Sequence, residues 1–342
     1  MPELVRPRAV WAAAPGLGEQ VSLASWPYYH DPKNFDRFTQ ATGVKVEVVT
    51  FGSNEEMFAK LKSGSAGWDV VEATNYAIPS YVGAGLIEPL DLSLIPDYDA
   101  ASLSDPRFGA PGMVKDKTYG LLKDWATTGY CVNTGMVKET MTSWKQFFDL
   151  TRGIYSGRTI VHDYQLTAVG NALKYFGYSF NSVDEKQLAD AQKLLLEIKP
   201  HLFALTTVYQ PPMRSNDAWL AMAWAGDARQ LHRDLPAIVY VIGSEGGEIW
   251  GDYYVVPKSA PNRAGGYALI DFLLTPANNA VDVETHGYAV ADKRTLALLP
   301  PEMLQDSIMF PAAELLTPLE FSAATALLNP HRAEIMAKLK AG

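Results

Sequence analysis

The sequence predicts an α/β fold in two lobes, each built around a mainly parallel sheet, and three observations predict it. Apolar strand-like runs alternate with helix-period segments from Val21 to Ala73. A second set in the same style begins at Thr128. No Pro/Gly/Ser-rich linker separates the sets, so short crossing strands must join the lobes, near Trp125–Gly129 and Glu248–Tyr254. A hinge of this kind leaves a cleft, where small ligands commonly bind.

Val21–Ser25 reads as a short buried strand. Asp31-Pro32 opens a helix with Pro in its first turn, and Phe35 and Phe38 share one face. Gly43 stops it, and Val44, Val46 and Val48 alternate as a strand. Ser53-Asn-Glu-Glu56 is a capping box, followed by Met57 and Leu61 at helical spacing. Asp69–Ala73 is a further strand. In the second set, Thr128–Asn133 and Thr159–Val161 read as strands, and Ala168–Phe176 as a helix stopped by Gly177. Ser182-Val-Asp-Glu185 reads as a second capping box ahead of Leu188, Ala191, Leu195 and Ile198. Ile238–Ile242 and Tyr253–Val256 are β-rich, and Ala264–Leu274 is a helix ended before Pro276. The tail from Ala323 is helical, interrupted at Pro330. There is no internal repeat or low-complexity tract.

The 342 residues are 48% hydrophobic and 20% charged, enough to fill a packed core, which excludes wholesale disorder. The net charge of −9 argues against nucleic-acid binding, which needs a basic face to release counterions. Cys131 stands alone, so no disulfide within the chain and no CxxC pair is possible. Eight Trp and 17 Tyr supply planar walls for a ligand as well as core. No apolar run approaches the roughly 20 residues that cross a bilayer. In Met1–Gln20, Arg6 and Arg8 precede only the short stretch Val10–Ala14, which is no full secretory signal. Either the chain is cytoplasmic or a signal has been removed.

Motifs for catalysis are absent. There is no phosphate loop, GxGxxG, HExxH or GxSxG. None of the six His stands at metal-ligand spacing from another His or from Cys. His162-Asp163 is adjacent in sequence, so the two side chains diverge on a strand. The pairs Tyr28-Tyr29 and Tyr253-Tyr254 raise the question of ferric iron, which prefers oxygen ligands. Neighbouring strand residues face opposite ways, so each pair offers at most one ring.

A set of segments in fixed order carries a resemblance. They are Ser25-Trp-Pro-Tyr-Tyr29, Phe38-Thr-Gln-Ala-Thr-Gly-Val-Lys-Val46, Ser53-Asn-Glu-Glu-Met57, Ala59-Lys-Leu-Lys62 and Trp68-Asp-Val-Val71. Then come Ala172-Leu-Lys-Tyr-Phe-Gly-Tyr178, Asn181-Ser182, Trp224-Ala-Gly-Asp227, Glu245-Gly-Gly-Glu-Ile-Trp-Gly-Asp252 and His286-Gly-Tyr288. From about Val21 onward the chain resembles the periplasmic spermidine/putrescine-binding proteins of ABC transporters. The resemblance implies the two-lobed type II periplasmic binding protein fold, each lobe a mixed, mainly parallel sheet flanked by helices. It implies lobe 1 from 21–123 plus 255–298, lobe 2 from 127–249 plus 302–342, and an N-terminal extension, 1–20. It also implies a monomeric, periplasmic binding protein that delivers a small linear amine to an inner-membrane permease, with no cofactor, metal or chemistry.

In that family a polyamine lies between the lobes, its methylenes boxed by aromatic rings and its ammonium ends taken by carboxylates. By matched position the site is Trp26, Tyr29, Thr74, Tyr76, Tyr164, Trp224, Asp227, Trp250, Asp252 and Tyr288. Asp227 and Asp252 would accept ammonium. One departure matters. The positions matching two family acids are Tyr164 and Thr167, both neutral. A second ammonium there would lack its partner unless Asp163 supplied one, and an unpaired buried charge is costly. The departure suits a ligand with one ammonium and a polar or carboxylate far end, such as γ-aminobutyrate, with Arg214 a candidate carboxylate partner. The competing readings are a binder of small carboxylates, a binder of ferric ion, and an enzyme on the same scaffold.

Overall fold

The computed structural model of the chain describes residues 16–64 and 66–341. Most of the expected N-terminal extension, with Arg6 and Arg8, lies outside the described residues. Strand β1 (Gln20–Ser25) is buried from Val21 onward. Asp31 caps helix α1 (Pro32–Thr42) by accepting from the Lys33 amide, and Gly43 ends it with φ of 78°. Edge strand β2 (Lys45–Thr50) is largely exposed and pairs parallel with β1. At helix α2 (Asn54–Lys62), Ser53 accepts from the Glu56 amide as expected. Glu56 reaches back one residue further than a capping box would, to the Gly52 amide at 2.9 Å. Strand β3 (Val70–Thr74) is wholly buried, parallel to β1, and the short helix α3 (Ile78–Gly83) follows.

After the two-residue strands β4 (Met113–Val114) and β5 (Lys117–Thr118) comes β6 (Gly120–Asn133), buried throughout. Its first half escaped the sequence reading because Lys123-Asp124 interrupts the apolar run. Then follow α4 (Trp144–Thr151), β7 (Thr159–Val161), α5 (Gln165–Tyr175) and α6 (Glu185–Ile198). The second capping box is corrected here. Asp184 is the cap, accepting from the Gln187 amide at 3.0 Å, while Ser182 accepts from the Asp184 amide. A carboxylate one residue before the helix satisfies its free amides better than a hydroxyl two residues further out.

Next are β8 (Leu202–Leu205), α7 (Gln210–Ser215), β9 (Leu220–Trp224), α8 (Ala225–Asp234), β10 (Ile238–Val241) and β11 (Gly247–Val255). Pro276 does more than end α9 (Arg263–Leu274). It occupies the first turn of α10 (Pro276–His286), where its missing amide costs nothing. Pro330 likewise starts the last helix, Pro330–Lys340, behind the cap Asn329. Strand β12 (Leu319–Phe321) pairs parallel with the start of β11.

The chain forms two compact units. One holds the described residues up to Trp125 with Gly251–Leu304; the other holds Ala126–Trp250 with Gln305 onward. Strand neighbours run β2-β1-β3-β11 in the first and β6-β9-β7-β8 in the second. The first core packs Val21, Leu23, Phe38, Val70, Tyr254 and Leu269. The second has a large cluster around Trp144, Phe147, Leu173 and Leu195, and a smaller one around Ile160, Ala221 and Cys131. Cys131 is fully buried, and burial pushes its thiol pKa up.

Candidate functional site

In the first unit, β3 and β11 run antiparallel with Thr74 opposite Asp252. That register lets the Thr74 hydroxyl donate to Asp252 Oδ1 at 2.7 Å. The Tyr29 hydroxyl, from the turn after β1, donates to Oδ2 at 3.0 Å. Asn54, first residue of α2, donates from Nδ2 to Thr74 Oγ1 at 3.0 Å and to the Tyr76 hydroxyl at 2.9 Å. The Tyr29 ring lies 5.4 Å from Tyr288 and 5.6 Å from His286. The structure thus gathers Tyr29, Thr74, Tyr76, Asp252 and Tyr288 around one carboxylate. Trp26 packs edge-on against Phe51 at 4.4 Å. Asp252 is buried in a strand. Gly251 before it is required: a Cβ there would meet Leu122 Cδ1 at 2.7 Å and the Asp124 carbonyl oxygen at 3.1 Å.

Behind Asp252 lies a charged network that sequence reasoning missed. His30 Nε2 meets Glu72 Oε1 at 2.5 Å, and Nδ1 meets Asp282 Oδ2 at 2.6 Å. Ser25 donates to Glu72, and Asn34 and the Asp31 amide donate to Asp282. Lys123 Nζ donates to Asp124 Oδ2 at 2.7 Å, with neither side chain exposed. Burial opposes the charge on His30, but Asp282 and Glu72 outweigh it and raise its pKa to about 9. Lys123 is also raised: burial opposes its charge, and Asp124, Glu72 and Asp282 together outweigh it. Burial lifts Asp252 above the usual carboxylate range, and the charge of Asp124 adds to this against the Thr74 and Tyr29 hydroxyls. Burial also lifts Asp124, against the pull of Lys123. Four buried carboxylates (Glu72, Asp124, Asp252, Asp282) thus face two buried cations (His30, Lys123). The only local signal was a charge inside each of two apolar strands, Val-Val-Glu72 and Leu-Leu-Lys123-Asp124.

In the second unit, Trp224 closes β9 and Asp227 lies in the first turn of α8. Asp227 is not the helix cap. It accepts from the Tyr209 hydroxyl at 2.9 Å, and that oxygen accepts from the Trp224 amide at 3.0 Å. Burial raises the Asp227 pKa against hydrogen bonds from Tyr209 and Gln210. His162 packs its ring on Trp224 at 4.7 Å and on Tyr209 at 5.4 Å. Burial drops its pKa to about 3, so the imidazole is neutral. Tyr209 and His162 are the members here that the sequence did not nominate.

Tyr164 sits at the cap position of α5 with no side-chain bond to the helix amides. Thr167 is fully buried, its hydroxyl held by His162 Nδ1 and the Tyr164 carbonyl, both at 3.1 Å. His162 and Asp163 diverge as expected: His162 is buried and Asp163 lies 4.0 Å from Lys340. Arg214 pairs with Asp234 at 2.9 Å. Trp250, half-buried, ends the second unit's share of β11. Part of the motif around it is structural. Glu245 accepts from the Trp144 and Lys145 amides at 2.9 Å each, capping α4, and Trp144 Nε1 donates to the Gly246 carbonyl. Gly246, at φ of 94°, has no room for a Cβ against the Pro318 carbonyl.

Comparison with known proteins places these features. Residues 33–310 match the profile of the bacterial extracellular solute-binding proteins. The spermidine/putrescine-binding periplasmic protein of Escherichia coli is 30% identical over 321 residues, 93% of this chain and 90% of that protein. A putrescine/agmatine-binding protein of Pseudomonas aeruginosa is 27% identical over 325 residues, 90% of this chain and 86% of that one. Among solved structures, the spermidine/putrescine ABC transporter substrate-binding protein of Streptococcus pneumoniae superposes with a TM-score of 0.83 at 27% identity. It covers 94% of this chain and 99% of its own. The fold is that of the type II periplasmic binding proteins.

Proposed function

The chain belongs to the bacterial extracellular solute-binding protein family, and from that premise we propose that it binds a small linear amine for an ABC importer. In this reading it works outside the inner membrane, hands its ligand to a membrane permease, and carries out no chemistry. The observation that carries the ligand class is the surplus of buried carboxylate around Asp252. The charges that act most on it, Asp124 and Glu72, are both anionic, and its hydrogen-bond donors are two neutral hydroxyls. A ligand ammonium supplies the missing cation and a charge-assisted bond in one step. A carboxylate ligand would meet the like charge of Asp252 there, with Lys123 and His30 already engaged by acids.

Asp227 is the second carboxylate, beside Trp224, whose ring offers a wall for methylene groups. Lone Asp227 stands among neutral groups, His162, Tyr209 and Trp224, and Thr167 is occupied within its own helix. This favours a ligand with one strongly held ammonium, an ω-amino acid such as γ-aminobutyrate, over a triamine. Arg214 is engaged by Asp234, so the far end of the ligand is recognised through neutral donors.

A calorimetric panel of putrescine, spermidine, γ-aminobutyrate and a dicarboxylate tests the reading, with mass spectrometry of small molecules released from the purified protein. We expect amines to bind and γ-aminobutyrate to exceed spermidine. Binding of the dicarboxylate alone would overturn the amine assignment. Tight spermidine binding would overturn the preference for one ammonium.

A further inference from the structure

The side chain of Lys123 has no exposed surface. Its Nζ lies 4.1 Å from the centroid of the Tyr29 ring and 2.7 Å from Asp124 Oδ2. The same Tyr29 holds Asp252 through its hydroxyl. The second Asp124 oxygen, Oδ1, is buried without a hydrogen-bond partner, and His286 Nε2, also without one, stands 3.8 Å from Oδ2. Burial drives the His286 pKa down, so His286 adds no positive charge. The remaining charges acting on Lys123 are Glu72 and Asp282, both engaged with His30. A primary ammonium on an aromatic face, clasped by carboxylate, is the arrangement a linear amine seeks in a protein.

We propose that Lys123 is a tethered ammonium filling a cation site that shares Tyr29 with Asp252, so that the chain itself occupies a place a second ligand ammonium could take. Lys123 is then a specificity-determining residue. Its charge satisfies Asp124, leaves Asp252 as the carboxylate open to ligand, and discriminates against amines with a second ammonium near the first. The selectivity part rests on the assignment of Asp252 to the amine ligand; the occupancy part stands without it.

Truncation tests the occupancy. Lys123→Ala removes the atoms of one n-propylammonium, so that cation is the probe, with n-propanol as the neutral control. We expect n-propylammonium to raise the melting temperature of Lys123→Ala saturably, binding at least tenfold tighter than n-propanol, and by more than any shift it gives the unmodified chain through Asp252. Lys123→Ala/Asp124→Asn should lose this response. Equal effects of amine and alcohol on Lys123→Ala would overturn the proposal. Should Lys123→Ala fold poorly, refolding yield in n-propylammonium against n-propanol gives the same comparison. The selectivity readout is the ratio of putrescine to γ-aminobutyrate affinity, expected to rise at least tenfold in Lys123→Ala; an unchanged ratio removes Lys123 from selectivity. If the unmodified chain binds no amine while Lys123→Ala is rescued, the Asp252 reading falls and the tethered site stands. Intact amine binding with no rescue is the reverse outcome.

Discussion

The two units place their carboxylates in different company. In the first, Asp252 belongs to a network in which His30 and Lys123 each neutralise buried acids and Tyr29 ties the network to the site. In the second, Asp227 accepts from Tyr209 and Gln210, and the neutral His162 ring packs on Tyr209 and Trp224. The first holds charge by pairing charge with charge, the second with aromatic rings and hydroxyls.

The comparison breaks most visibly at His30. Replacing it with Ala strands Glu72 and Asp282 in the core, and removing one partner of a buried ion pair costs about 3–5 kcal/mol. Urea unfolding of His30→Ala should show a loss of that size. A loss under about 1 kcal/mol would mean water or rearrangement already carries those charges.

The second unit has its own buried acid, and it behaves oppositely. Glu248 accepts from Thr128 at 2.6 Å, and burial raises its pKa from 4.5 to about 7. A carboxyl raised on folding lends stability at low pH that is lost as pH climbs through about 7. Glu248→Gln should therefore be the more stable protein at pH 8, by about 2–3 kcal/mol, and nearly equal at pH 4. Denaturant midpoints across that range check it; a gain that does not depend on pH would contradict it.

For ligand binding, Asp252→Asn should weaken an amine by about 1.5–3 kcal/mol, a hydrogen bond to a charged group, and Asp227→Asn by less. Asp252→Asn should be the more damaging, because the one ammonium is held there. Calorimetry giving the reverse order would place the stronger ammonium contact in the second unit. Because the Asp252 pKa is raised, a proton competes with the ligand at low pH. Affinity should rise with pH from about 5 to 8, by up to roughly tenfold for each unit while the carboxyl is titrating. A flat profile in calorimetry would mean that Asp252 is already ionised across that range.

The smallest expected effect sharpens the neutral side. Thr167 is too enclosed to accept an acid, so Tyr164→Asp alone is the informative substitution. At the cap of α5, Asp should add about 1 kcal/mol of stability and shift preference toward diamines by about 1 kcal/mol. Thermal unfolding and the titration panel check the two parts separately.

How much of this was legible in the sequence follows from distance along the chain. Capping at Asp31 and Ser53, the stop at Gly43 and the strand at Val70 were visible because their causes lie within four residues. Asp252 and Asp227 came from motif position, and the structure gives each a hydroxyl partner. The His30 network was not legible. Its partners lie 42 and 252 residues away, and nothing local marks that separation. The second capping box failed for a subtler reason: Ser182 and Asp184 are both capping residue types, and where the helix begins decided for the nearer carboxylate.

The lone Cys131 has a practical consequence. Its thiol is enclosed among Ile160, Ala221 and Tyr209, and held protonated by burial. A thiol reagent will therefore leave the folded chain untouched and react as the second unit opens, so labelling rate reports on that opening directly. A cysteine introduced on the surface would be the one that a fluorophore finds first, with the native residue left in place.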